Sequence, residues 1–301
     1  MKQPKIIVAG IGPGSEADIT GAVLNALREA DVVVGYKYYF QFVKPFLQEG
    51  AQCVDTGMKK ERERAEQAFN LAEEFQTPVI VLSDLQFGMC KQSVPAFDMN
   101  RVGIHRGKLL TEGLPELDTK KKAYFHRFED SEDGISPRTI PGVKNGMFLS
   151  TGLEHNVFGK PAEGQADRVM EMEKRHRKFA AVPQAVKPFY VTHEDTDTDL
   201  LLIGITSTNG ALEEAVEELE AEGKKVNHLQ LRLLSPFPTE ALRPYVEGAK
   251  KVLIVEEDLT AQLRELFAIH FDCHDKLLSL LQYDGTPFTT STIVNKAKEV
   301  F

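Results

Sequence analysis

LLLIGIT at residues 200–206 and KVLIVEE at 251–257 are apolar runs of strand length, VNHLQLRLL at 226–234 reads as a further strand between them, and the chain between and after them changes period. Residues 211–222, 239–249 and 260–271 carry apolar side chains at helical spacing. The first two follow the turn formers Thr208-Asn209-Gly210 and Ser235-Pro236-Phe237-Pro238-Thr239. Strand, helix and strand in succession need crossover connections, so the last third reads as a compact parallel-sheet βα domain.

The same rhythm fills the start of the chain. Strands are expected at 5–12 (KIIVAGIG), 31–36 (DVVVGY), 51–57 and 78–84 (PVIVLSD), with helices at 17–30, 38–47 and 59–75. Between 85 and 179 the periodicity fades, Gly, Pro, Asp and His become frequent, and one helix stands out at 167–179. A stretch that long without regular structure is either a partner-facing excursion or a flexible insertion. Residues 181–190 (AVPQAVKPFY), with two prolines and no charge pattern, read as a linker. The fold class is therefore α/β: two parallel-sheet βα domains joined by a linker, the first with a long irregular excursion.

A chain of 301 residues is enough for two cores. Its 42% apolar and 27% charged composition is that of a globular protein, and no apolar run is long enough for a membrane span. A net charge of −9 argues against nucleic acid and anionic membranes as partners. The expected location is the cytoplasm. Cys53, Cys90 and Cys273 are too few and too far apart to hold an iron–sulfur cluster or a structural zinc.

Five places could carry chemistry. Gly10, Gly12 and Gly14 sit between the first strand and the first helix, where bare backbone can turn tightly and offer N–H groups to an anionic ligand. Their spacing is not that of the dinucleotide fingerprint, and a ligand-free turn remains open. Arg138, in a loop of turn formers, has the fork that clamps a carboxylate or phosphate, or it makes a subunit contact. Lys174 and Arg175 open the one dense basic run, 174–178, which is either a docking surface or a solvated helix face. Glu256 and Glu257 close a strand at the sheet edge where parallel sheets meet ligands or partners, or form a solvated acidic turn. His270 and His274 have metal-ligand spacing without a further ligand, so no metal site is assigned. Glu154-His155 is given no catalytic role, and no catalytic residue is identified.

Two resemblances sharpen this reading. Through KIIVAGIGPGSEADIT, ALREADVVVGYKYYF and DTGMKKERERAEQAF, residues 1–67 resemble the start of the precorrin C-methyltransferases of cobalamin biosynthesis. That resemblance implies that Gly10, Gly12 and Gly14 line the cleft for S-adenosylmethionine. The Gly-Asp-Pro-containing loop that completes that cleft in the family is missing, because residues 79–82 run into SDLQFGM. From about residue 68 onward the chain resembles the C-terminal part of the alpha subunit of 2-oxoacid:ferredoxin (acceptor) oxidoreductases. The matching stretches are GKLLTEGLPELD, HRFEDSEDGISPRTIPG, TGLEHNVFGKPAE, MEKRHRKF and the whole terminal βα domain.

The resemblances imply a chimera. Residues 1–67 form a tetrapyrrole-methylase-like lobe and 68–180 a partial pyrimidine-binding-type domain. A linker at 181–190 leads to a transketolase-C-like α/β domain at 191–301. The seam falls within the helix at residues 64–72, so helical period continues across it. No cofactor is expected on this chain alone; thiamine diphosphate, magnesium and iron–sulfur clusters are expected on a beta subunit, which passes electrons to ferredoxin. S-adenosylmethionine is the cofactor of the alternative reading, and a catalytically silent interaction module is a third.

Overall fold

The structure, a computed structural model, describes residues 21–30, 32–35, 43–48, 52–55, 59–89, 103–116 and 124–301. The chain divides into two units, residues 1–71 with 92–105 and residues 72–91 with 106–301.

In the first unit, α1 (Gly21–Glu29) leads to β1 (Val32–Gly35), which pairs in parallel with β2 (Gln52–Asp55), Val32 opposite Gln52 and Gly35 opposite Asp55. Leu27 and Val43 are its buried apolar residues, with Val23, Phe46 and Leu47 packed against them. Of the helix expected at 38–47, residues 38–42 lie outside the described residues, Val43 is helical and Lys44–Phe46 form a 3-10 turn. The strand expected at 5–12, and Gly10, Gly12 and Gly14 with it, lie outside the described residues. Beyond β2, α2 (Lys59–Phe75) matches its expected bounds and passes unbroken through the seam.

The second unit is organised by one sheet. After α3 (Leu85–Met89) and a short parallel pair, β3 (Leu109–Leu110) with β4 (Arg138–Thr139), the chain enters α4 (Gln165–Ala185). Then follow β5 (Phe189–Val191), β6 (Thr198–Gly204), α5 (Asn209–Ala221), β7 (Val226–Leu231), α6 (Thr239–Gly248), β8 (Ala249–Glu256), α7 (Gln262–His270), β9 (Leu277–Leu281) and α8 (Thr290–Val300). The strand order is β5-β7-β6-β8-β9, with β5 antiparallel at the edge and the rest parallel.

Side chains alternate across this sheet. Leu200, Leu202, Val226, Leu253 and Val255 bury against Leu212, Val216 and Leu219 of α5 and Ile293, Val294 and Ala297 of α8. Leu201, Ile203, Leu229, Val252 and Ile254 bury against Leu242 and Val246 of α6 and Leu263 and Phe267 of α7. Both faces are thus covered by helices, which is why β6 and β8 carry apolar runs.

Three expectations change. Residues 78–84, expected as a buried strand, form no strand, and the run is exposed from Pro78 to Ser83, because none of the described residues lies beside it as a ladder partner. Residues 181–185 of the expected linker are the last turn of α4, with Val182 buried and Pro183 inside the helix, and β5 takes up Phe189 and Tyr190. The rhythm read in the sequence stops at Phe271, whereas β9 and α8 complete the sheet and one of its layers.

Close packing tests this core at Gly204, where an added β-carbon would overlap Leu212 Cδ1 and Thr208 Oγ1. Gly204→Ala is expected to cost about 2 kcal/mol in urea denaturation, because the buried Leu212 and Thr208 side chains must shift to admit a methyl group. A variant as stable as the parent would contradict this packing.

Candidate functional site

From β6 the chain crosses to β7 on one side, and from β7 it crosses back to β8 on the other. The carboxyl ends of β6 and β8 therefore flank the crevice where open α/β sheets place their sites. The loops there are 205–208 after β6 and 257–261 after β8. Each contains a non-glycine residue in the left-handed region, Thr206 at φ 51° and Ala261 at φ 56°.

Asp84 reaches this edge from residues 78–84. Its Oδ2 accepts from the Ser207 amide at 2.8 Å and its Oδ1 accepts from the Phe87 amide at 2.7 Å, which starts α3. Partial burial opposes the charge of Asp84. Hydrogen bonds from Ser207, Thr206 and the Phe87 amide outweigh it and hold the carboxyl below its ordinary range. The Ser207 hydroxyl donates to Glu257 Oε2 at 3.4 Å, and burial with the nearby Asp84 charge pushes the Glu257 carboxyl up.

Glu256, one residue earlier, is only 2% exposed. Its Oε2 accepts from the Leu263 amide at 2.6 Å and its Oε1 from the Arg264 amide at 3.2 Å, so it satisfies the first-turn donors of α7. Burial nevertheless wins over these bonds and, with Asp258 close by, pushes its carboxyl up to about 7. Of the two glutamates expected at this edge, one is a buried proton-holding helix cap and the other faces Ser207.

Two residues that the sequence did not single out lie behind the crevice. His228 and Gln230 of β7 are buried neighbours, with no geometrically formed hydrogen bond to His228 Nε2 or Gln230 Oε1 among the described residues, while Gln230 Nε2 donates to the Thr206 carbonyl at 3.2 Å. Burial pushes the His228 imidazole down to about 4, so it stays neutral. The signal for them was present in β7, where Asn227, His228 and Gln230 interrupt an otherwise apolar strand.

The other expected site residues fall elsewhere. Arg138 pairs with the Glu73 carboxylate, and its Nη2 also donates to the Arg106 carbonyl at 3.0 Å. Lys174 is buried, donating to Glu171 Oε1 at 2.8 Å and to the Phe128 carbonyl at 2.5 Å, so it is an internal strut and not a docking cation. Arg175 forks onto Glu154 at 3.1 and 2.7 Å, and Arg168 donates to the same carboxylate. The Arg175 hydrogen bond, followed by that of Arg168, offsets burial and draws the Glu154 carboxyl down to about 2. Arg177 pairs with Asp130, and Lys178 donates to the Gln76 carbonyl at 3.1 Å. The basic run therefore fastens the irregular excursion to α4.

Among the described residues no group of three or more His, Cys, Asp or Glu is placed to hold a metal ion. The His270 ring stacks on Phe237 at 4.4 Å and its Nδ1 lies 3.0 Å from Thr239 Oγ1, while His274 is exposed. Nor is any helix among them long and apolar enough to cross a membrane. What the crevice offers chemically is an ionised Asp84, a proton on Glu256 near neutral pH, and a hydroxyl between Asp84 and Glu257.

Glu256 gives a signed pH dependence. Its folded value lies above the unfolded one, so the native state binds the extra proton and stability falls as pH rises from about 4.5 to about 7. Glu256→Gln keeps an acceptor and removes that charge. It is expected to be about 2 kcal/mol more stable than the parent at pH 8 and equal to it at pH 4.5, by urea titration at both pH values. Parallel pH profiles for parent and variant would contradict the buried carboxyl.

Comparisons with known proteins match the chain to two families. The family described as Tetrapyrrole (Corrin/Porphyrin) Methylases matches residues 5–144, and the pyruvate:ferredoxin oxidoreductase core domain II matches residues 198–280. The chain is 35% identical to the 2-oxoacid:ferredoxin oxidoreductase 2 subunit alpha of Aeropyrum pernix over 237 residues, 77% of this chain and 35% of that one. It is 47% identical over 66 residues to a probable cobalt-factor III C(17)-methyltransferase of Salmonella typhimurium, 22% of this chain and 27% of that one. Among solved structures, the 2-oxoglutarate:ferredoxin oxidoreductase of Magnetococcus marinus superposes with a TM-score of 0.68 at 27% identity. That superposition covers 89% of this chain and 42% of that one. The chain therefore spans about a third of the length of its alpha-subunit relatives, and its two resemblances are to two different families.

Proposed function

We propose that this chain is a partial alpha subunit of a 2-oxoacid:acceptor oxidoreductase, built to dock on a beta subunit and not competent alone. The observation that carries the proposal is the joint match of sequence and fold. The chain is 35% identical to an alpha subunit over 77% of its length, and it superposes on a 2-oxoglutarate:ferredoxin oxidoreductase over 89%. The reaction is thiamine-diphosphate-dependent oxidative decarboxylation of a 2-oxoacid to acyl-CoA, with electrons leaving through iron–sulfur clusters to ferredoxin. An iron–sulfur cluster of the common kind asks for four thiolates, and three cysteines in the whole chain do not meet that need. Thiamine diphosphate, magnesium and the clusters are accordingly assigned to the beta subunit, and no step of the decarboxylation to a residue here. What this chain contributes is a rigid C-terminal sheet and the excursion fastened to α4.

A second reading is supported by the 47% identity of 66 residues to a methyltransferase. In it the chain uses S-adenosylmethionine on a tetrapyrrole, with Gly10, Gly12 and Gly14 at the methyl donor. The family's Gly-Asp-Pro-containing loop is missing after residues 79–82, which places this reading below the first although the methylase family model matches residues 5–144. Loss of both reactions, leaving an interaction module, is the third.

Co-expression with a cognate beta subunit, followed by size exclusion, should give co-elution, and consistent failure to co-elute contradicts the first reading. A complex that reduces a viologen dye with a 2-oxoacid and coenzyme A would sink the silent-module reading. Calorimetric titration with S-adenosylmethionine is expected to show nothing tighter than about 1 mM. Micromolar binding would reverse the order of the first two readings.

A further inference from the structure

The most anomalous surface of the second unit is the run Pro78-Val79-Ile80-Val81-Leu82-Ser83. Val79 is 37% exposed, Ile80 82%, Val81 68% and Leu82 63%, followed by Leu85 at 79% and Phe87 at 45%. Residues 78–84 lie in no helix or strand, and none of the described residues forms a ladder with them.

The run is nevertheless held in place at both ends. Before it, Gln76 Oε1 accepts from Arg127 at 2.5 Å, its Nε2 donates to the Ser136 carbonyl at 2.7 Å, and its own carbonyl accepts from Lys178. After it, Asp84 is fixed to the Ser207 amide at the crevice. A stretch of β-branched and apolar residues is thus strung between two anchored polar residues.

What covers it follows from which residues are bare. Successive residues of a strand face opposite sides, so exposure of Val79, Ile80, Val81 and Leu82 together leaves both sides uncovered. A run apolar on both sides is the mark of an inner strand of a parallel sheet with layers above and below. A second copy of this run could pair along one edge but would leave both faces in water. A partner with strands for the edges and helices for the faces satisfies all of them. About 65% of the length of the alpha-subunit relatives lies outside the matched region. In this chain, the residues before that region resemble a methyltransferase instead.

We infer that residues 78–85 form a docking strand for a parallel α/β half-domain supplied by a separate polypeptide, drawn from the part of the oxidoreductase alpha subunits that lies outside the matched region. The inference rests on the alpha-subunit reading above and adds to it a surface and an occupant. Pairing would bury the four apolar side chains and satisfy the run's backbone donors and acceptors together.

The test co-expresses the full chain with the portion of the Aeropyrum pernix alpha subunit that lies outside its matched region, followed by size exclusion with light scattering. The expected result is a 1:1 complex, weakened at least tenfold by Val81→Lys and unchanged by Ile269→Lys, a control at an exposed apolar residue of α7. Three results would overturn the inference: recovery of the chain without the fragment, a complex indifferent to Val81→Lys, or self-association of the chain that Val81→Lys abolishes. A chain that binds the beta subunit but ignores the fragment refutes this inference alone. One that takes the fragment but never the beta subunit refutes the reading beneath it.

Discussion

Leu202, Ile203, Leu253 and Ile254 lie side by side on β6 and β8 with no measurable exposure, two facing α5 and α8 and two facing α6 and α7. The rest of the second unit depends on this burial. Each such side chain contributes roughly 1.5 to 3 kcal/mol when taken from water, and the parallel ladder satisfies the backbone groups buried with it. The rigid edge this creates is what allows Ser207 to anchor Asp84 and α7 to present its first amides to Glu256. A carboxyl kept near pH 7 and a histidine kept neutral are consequences of that same dry interior.

The described loops of the excursion, within residues 106–116 and 124–164, are held by different physics. Lys174 on the Phe128 carbonyl, Arg175 with Glu154 and Arg127 on Gln76 tie these loops to α4 and to the end of α2. Arg127 also lies 5.0 Å above the Phe128 ring and 5.9 Å from that of Phe148. Burial, aided by Arg138, lowers the guanidinium's proton affinity. Such ties fix geometry well and add little net stability, because desolvation offsets most of the attraction. They suit a segment whose task is to present a surface.

The sequence was legible where period is set by burial. From β6 to α7 the strands and helices of the terminal domain fall within a few residues of their expected bounds, since apolar period and the layers it demands are the same fact. It failed where burial depends on chain that is elsewhere. PVIVLSD has the composition of an inner strand, but composition does not say whether neighbours are present. The basic run 174–178 is a similar case: Lys174 reads as a surface cation, and only the packing of the excursion shows it facing Glu171 and Phe128. Glu256 was placed correctly at a strand end, yet its burial follows from the position of α7, beyond what spacing reveals.

Two families meet in one polypeptide, and the second unit is complete in its sheet but bare along one run. Hydrogen–deuterium exchange of the full chain, resolved by peptide, tests this most directly. Amides of 78–83 should exchange as fast as those of an open peptide while those of β6 and β8 in the same molecule stay protected for hours. Protection of 78–83 comparable to that of β6 would contradict the account.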